Sequence, residues 1–214
     1  MCWNKDVSLN TFLFSGFVLC LIIYNNKYTQ YKIDELNNIY AYIFFASIII
    51  IQLIEYFIWL SIENPLYNSI FTILATIVLL VQPIASNMLI TNKIIQKKML
   101  YSYMVFIIPV AIYKFNIKKM NSSISDLGHL RWNTVISYNS LLDKIFSLIW
   151  IFFFLFPLFY EGYNFGILFG MITLLIMVYK FFKDKTTGSM WCWVVNSVMI
   201  YYAGYLLFYL PFFK

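Results

Sequence analysis

The chain has 214 residues, of which 62% are hydrophobic, 21% aromatic and only 11% charged. Soluble domains carry about 25% charge, so the composition excludes a water-soluble globular protein, a disordered tail and a nucleic-acid binder. The net charge of +6 comes from lysines at the ends of apolar runs, a placement that suits lipid headgroups. The bilayer is therefore the expected partner, and no nucleic acid is expected.

A membrane-crossing helix needs about 20 mostly apolar residues. In chain order seven segments qualify, at about 9–24, 39–62, 69–90, 99–113, 145–160, 165–182 and 190–212. The first, fourth and fifth are short and borrow flanking residues. Runs such as Ile48–Ile51 also suit a strand, but their length and lack of alternation favour helix, because lipid tolerates only helices and closed barrels. The expected fold is an all-α, seven-helix bundle forming one membrane domain. The mixed-charge start Met1-Cys2-Trp3-Asn4-Lys5-Asp6 does not read as a cleavable signal. Heavy use of Ile, Asn, Lys, Tyr and Phe resembles translation of an AT-rich genome, such as that of a large DNA virus or a protist.

Seven crossings place the termini on opposite faces. The N-terminal face, side A, then owns the loop near Glu63, a long 114–144 connection and the 183–189 turn. Nine basic residues fall on A and six on the other face, B. The positive-inside rule makes A cytoplasmic. The short apolar patch 130–136 is expected to fold back over the A end as an interfacial helix, and Gln82-Pro83 to release the carbonyl of residue 79 from helix bonding.

Parity also gathers the chemistry. Glu55 lies about 10 Å below the A surface, with Gln52 and Trp59 on its helix face. Ser189, Cys192 and Asn196 share a face at a similar level. His129, Arg131 and Trp132, the terminal Cys2 and Trp3, and Trp191 all belong to A-side segments. A carboxyl in hydrocarbon is costly and faces the bundle interior when it occurs. Three readings follow. In the first, Glu55, Gln52, Trp59, His129, Arg131, Trp191, Cys192 and Asn196 surround a polar cavity that binds or conducts a proton, a cation or a small cationic solute, and indole faces suit an organic cation. In the second, Cys2 or Cys192 acts as nucleophile with His129 as base, on a lipid or a thiol. In the third, the polar residues only lock helices together. Cys2, Glu55, His129 and Cys192 include zinc-ligand types, yet lack the short spacings of a structural site, so neither metal nor cofactor is expected.

Known seven-span families do not fit. The last span has no lysine for a retinal Schiff base, and a single histidine cannot build the zinc site of membrane hydrolases. The set Met1-Cys2-Trp3, Gln52-x-x-Glu55-x-x-x-Trp59, Gly128-His129 and Ser189-x-Trp191-Cys192 resembles an uncharacterised family of small multi-pass membrane proteins. Its bacterial members open Met-Cys-Phe-Ser and carry Gln-Gln-x-x-Glu-Gly-x-x-Trp, Gly-His and Ser-x-Trp-Cys-Phe segments. Ile51, Tyr56 and Trp193 depart from that pattern. The resemblance implies that the matched residues work as one set, without implying an activity.

Overall fold

The computed structural model describes residues 4–117, 120–133 and 141–213. Seven helices are long and apolar enough to span a membrane, which makes this an integral multi-pass membrane protein with an all-α bundle. They are α1 (Lys5–Tyr28), α2 (Ile39–Leu60), α3 (Pro65–Asn87), α4 (Lys93–Ile117), α5 (Leu141–Tyr160), α6 (Asn164–Phe181) and a segmented last span. That span comprises α7 (Thr187–Val195), α8 (Val198–Gly204), a π-helical turn (Tyr205–Tyr209) and α9 (Leu210–Phe213).

Asparagines set the starts of four helices. Asn4, Asn38 and Asn64 accept from the backbone N–H of Val7, Tyr40 and Tyr67, and Asn92 accepts from Ile94 and Ile95. Each satisfies N–H groups that the first helical turn leaves open. In α3 a proline follows the cap at the first helical position, where its missing N–H costs nothing. These caps carry α1, α3 and α4 several residues beyond the apolar runs. The 114–144 connection is correspondingly shorter, since 114–117 end α4 and 141–144 begin α5.

Two prolines inside spans are answered by donors from a neighbouring helix. Pro83 leaves the Leu79 carbonyl without its helical donor, and the Trp150 indole N–H on α5 donates to it at 2.8 Å. Pro157 does the same to Phe153, whose carbonyl accepts from Asn87 Nδ2 on α3 at 3.2 Å. Ser86 Oγ adds a bond to the Phe154 carbonyl at 2.7 Å. The defects of α3 and α5 are thus mutually satisfied, which fixes the register between the two helices.

Helix α2 is the hub, packing on α1, α3 and α7, while α4 lies at the rim against α3 and α5. Large apolar side chains such as Phe17, Leu66, Tyr101, Leu148, Leu175 and Phe208 remain exposed, as a lipid-facing surface requires.

One expectation is corrected. Residues 130–133 form a strand, not part of a helix. An antiparallel hairpin pairs β1 (Asn121–Ile124) with β2 (Leu130–Asn133), with Ser122 opposite Trp132 and Ser123 opposite Arg131. Its turn contains Gly128 at φ +76°, a conformation a Cβ would strain. The reason is tertiary: the hairpin is held by bonds to two helix starts. Asn68 at the start of α3 bonds both backbone groups of Ser122, at 2.7 and 3.1 Å, and Thr72 Oγ1 meets Ser122 Oγ at 2.8 Å. On the other flank Ser189 of α7 donates to the Leu130 carbonyl at 2.7 Å. Residues 134–136 of the expected helix lie outside the described residues.

Candidate functional site

Glu55 and Gln52 are fully buried, one helical turn apart near the A-side end of α2. The Gln52 amide donates to Glu55 Oε2 at 2.8 Å. Cys192 of α7, a buried free thiol, lies within electrostatic reach of the Glu55 carboxyl. Asn196, one turn further along, donates to the Cys192 carbonyl at 2.8 Å. The α2–α7 contact brings Gln52, Glu55 and Cys192 together, while α1 packs on α2 and on α8.

Several oxygens in this region have no hydrogen-bond partner among the described residues. They are Gln52 Oε1, Asn196 Oδ1 and the hydroxyls of Ser8 and Ser15, each on a residue at most 2% exposed. Ser8 and Ser15 sit seven residues apart and so share one face of α1. A buried polar oxygen without a partner costs about 1–3 kcal/mol, so each of these four is a place where water or a cation would be stabilised. A cavity of about 300 Å³ opens between α1 and the last span, lined by Asn10, Thr11, Ser15, Trp193, Asn196 and Ser197 among others. Ser15 and Asn196 stand in its wall, with their unpartnered oxygens themselves buried. Glu55 does not line the cavity.

A second polar group anchors the hairpin. Asp184, in the turn after α6, accepts from Ser125 Oγ at 2.6 Å and from Thr186 Oγ1 at 3.0 Å. Arg131 Nε donates to its backbone carbonyl at 3.2 Å, and the guanidinium lies 3.8 Å from its carboxylate. His129 is buried with its ring edge-on to Phe181 at 5.2 Å. Burial lowers its pKa below the usual 6.5, against the opposing pull of Asp184. Arg131 and His129 thus belong to the clasp between hairpin and α6–α7 turn.

Trp191 faces the opposite way from Glu55. Its indole N–H donates to Thr173 Oγ1 on α6 at 3.2 Å, and its ring packs edge-on against Trp150 and Phe154. Trp59 is half-buried at the A end of α2, its Nε1 without an acceptor among the described residues. Cys2 and Trp3 lie outside the described residues. Among the described residues no three His, Cys, Asp or Glu side chains group as metal ligands.

Two features escaped sequence reading. Lys114, which looks like an interfacial lysine, is fully buried in α4 and ion-paired with Asp143 of α5. Asp184, flanked by Lys183 and Lys185, reads as part of a solvated charged turn, yet its side chain is 8% exposed and organises the clasp. The Ser8–Ser15 spacing was the one legible signal left unused. Comparison with family models, with curated proteins and with solved structures finds no match, so the site is interpreted from its own chemistry.

Proposed function

We propose that the protein binds and passes a proton or small cation through the A-side half of the bundle, with Glu55 as the charge-bearing group. The carrying observation is a carboxyl buried at 0% exposure in a spanning helix, bonded to the amide of Gln52, whose own oxygen lacks a protein partner among the described residues. A carboxylate in hydrocarbon must be neutralised by a proton or a counter-ion. Carboxylate, amide and hydroxyl oxygens are the ligands that hard cations take. The open cavity bordered by Ser15 and Asn196 supplies the approach. Of the residues matched in the family resemblance, Gln52, Glu55 and Cys192 are at the charge, His129 is in the cover and Trp191 is on the opposite side of α7. The excess of basic residues on A makes it the cytoplasmic face in this reading.

The enzymatic alternative has less support for Cys192, while Cys2 lies outside the described residues. A nucleophilic thiolate uses an electropositive, partly exposed setting, whereas Cys192 is buried beside a carboxyl.

Thermal melting in lipid nanodiscs tests the proposal. A cation at about 100 times its dissociation constant stabilises its binding state by about 2.7 kcal/mol. The wild type is expected to melt higher as a monovalent cation is titrated or as pH is lowered, and Glu55→Gln to lose that response. Identical cation and pH responses in both proteins would refute the proposal, and a lower melting point with unchanged responses would assign Glu55 to helix locking.

A further inference from the structure

On the far side of α7 from Glu55, a groove of about 240 Å³ runs between α5, α6 and α7. Its walls are apolar: Leu148, Trp150, Ile151, Leu174, Val178 and Trp191. All three helices have their A-side ends here, so the groove descends from the A interface. From Lys144 to Ile151 it spans eight residues of α5, about 10 Å of helix.

The polar groups lie only at the mouth. Lys144 is exposed there, its ammonium 5.7 Å from the centre of the Phe182 ring. Exposed Lys180, Lys183 and Lys185 belong to the last turn of α6 and the turn after it, on the same A side but outside the groove lining. Thr187, 4% exposed, also lines the groove, and its buried hydroxyl has no hydrogen-bond partner among the described residues. An apolar slot with a lysine at its mouth and an unused buried hydroxyl beside it matches a ligand that is apolar along its length and anionic at one end.

We propose that this groove binds one anionic phospholipid, an acyl chain lying along Trp150 and Trp191 and the phosphate at Lys144 and Thr187. Basic pockets between spanning helices recognise such headgroups, and a hydroxyl donating to an ionised phosphate makes one of the stronger hydrogen bonds. The site is independent of the Glu55 reading, because it lies on the opposite face of α7 and uses none of Gln52, Glu55, Cys192 and Asn196.

The groove walls supply the probe, since bromine on an acyl chain quenches indole fluorescence at contact. The protein is placed in phosphatidylcholine nanodiscs carrying a minor fraction of brominated phosphatidylglycerol or of brominated phosphatidylcholine. A lysine beside an anionic headgroup shifts occupancy by about fivefold, so the anionic lipid is expected to quench more strongly at equal fraction. Lys144→Glu and Val178→Phe, both at exposed positions, are expected to remove that excess, by charge and by filling the slot respectively. Trp150→Phe should remove much of the quenched signal. Equal quenching by the two lipids overturns the proposal, as does an excess that survives either substitution. Abolition of the excess by inorganic phosphate would assign the mouth to a soluble anion, and also overturns it.

Discussion

Glu55 and His129 stand for two kinds of polar residue in this chain, and they are legible to different degrees. Glu55 stands out because nothing else charged interrupts the apolar run around it, and hydrocarbon tolerates a carboxyl only for a reason. His129 stands out only as the single histidine. Its setting, with Ser125, Phe181 and Asp184 around it, depends on contacts between segments more than 50 residues apart, which spacing does not encode. The setting has a consequence for pH. Burial lowers the pKa of His129 in the docked hairpin, with Asp184 opposing and Arg131 drawing on the same Asp184. An undocked histidine takes up a proton more readily, so docking is fully favoured above the ordinary pKa of about 6.5 and weakens as pH falls below it. Protection of residues 121–133 against hydrogen exchange, taken relative to the intrinsic rate at each pH, should therefore fall between about pH 7 and pH 5, and His129→Gln should flatten that trend. Exchange with the same pH response in both proteins would separate His129 from hairpin docking.

At the scale of elements, the helices were readable and their attachments were not. A bilayer forces each span into a long apolar run, and asparagine caps mark the starts. Even the release of the Leu79 carbonyl follows from Pro83. Its acceptance of a bond from Trp150 required the fold. The hairpin was misread because Asn121-Ser-Ser-Ile124 and Leu130-Arg-Trp-Asn133 show no clean alternation, and docking rather than pattern makes them strands. The Lys114–Asp143 pair was missed for a related reason, since a lysine at the end of an apolar run ordinarily snorkels to the interface. It joins the A-side ends of α4 and α5 at a place where α4 has few other attachments. Removing one member of a buried pair strands the other charge, at about 3–5 kcal/mol, whereas replacing both with apolar groups is often neutral. Asp143→Asn should lower unfolding stability in micelles by about that amount, and Lys114→Met with Asp143→Leu should recover most of it. A small loss for Asp143→Asn would mean that water already shares the pair.

For the whole molecule, the odd number of spans governs where chemistry collects. Seven crossings put the ends of α2, α4 and α6, the starts of α3, α5 and α7, and the hairpin on one side. Among the described residues that half holds the Glu55 cluster, the Asp184 clasp, the buried ion pair and the basic mouth of the groove. With Lys114 buried in an ion pair, the surface excess of basic residues on that side is narrower than the sequence tally implies. The B side contributes mainly connections, such as the Glu161 contact with Thr91 and the Tyr202 bond to Glu35. This asymmetry suits the proposed passage, in which charge enters from side A and meets Glu55 on its way through the bundle. Proton and monovalent-cation flux into sealed liposomes, driven by an imposed gradient, measures that directly. Wild-type vesicles are expected to carry a flux that Glu55→Gln abolishes while the variant stays folded and inserted. Equal flux from wild type, Glu55→Gln and protein-free liposomes would contradict it.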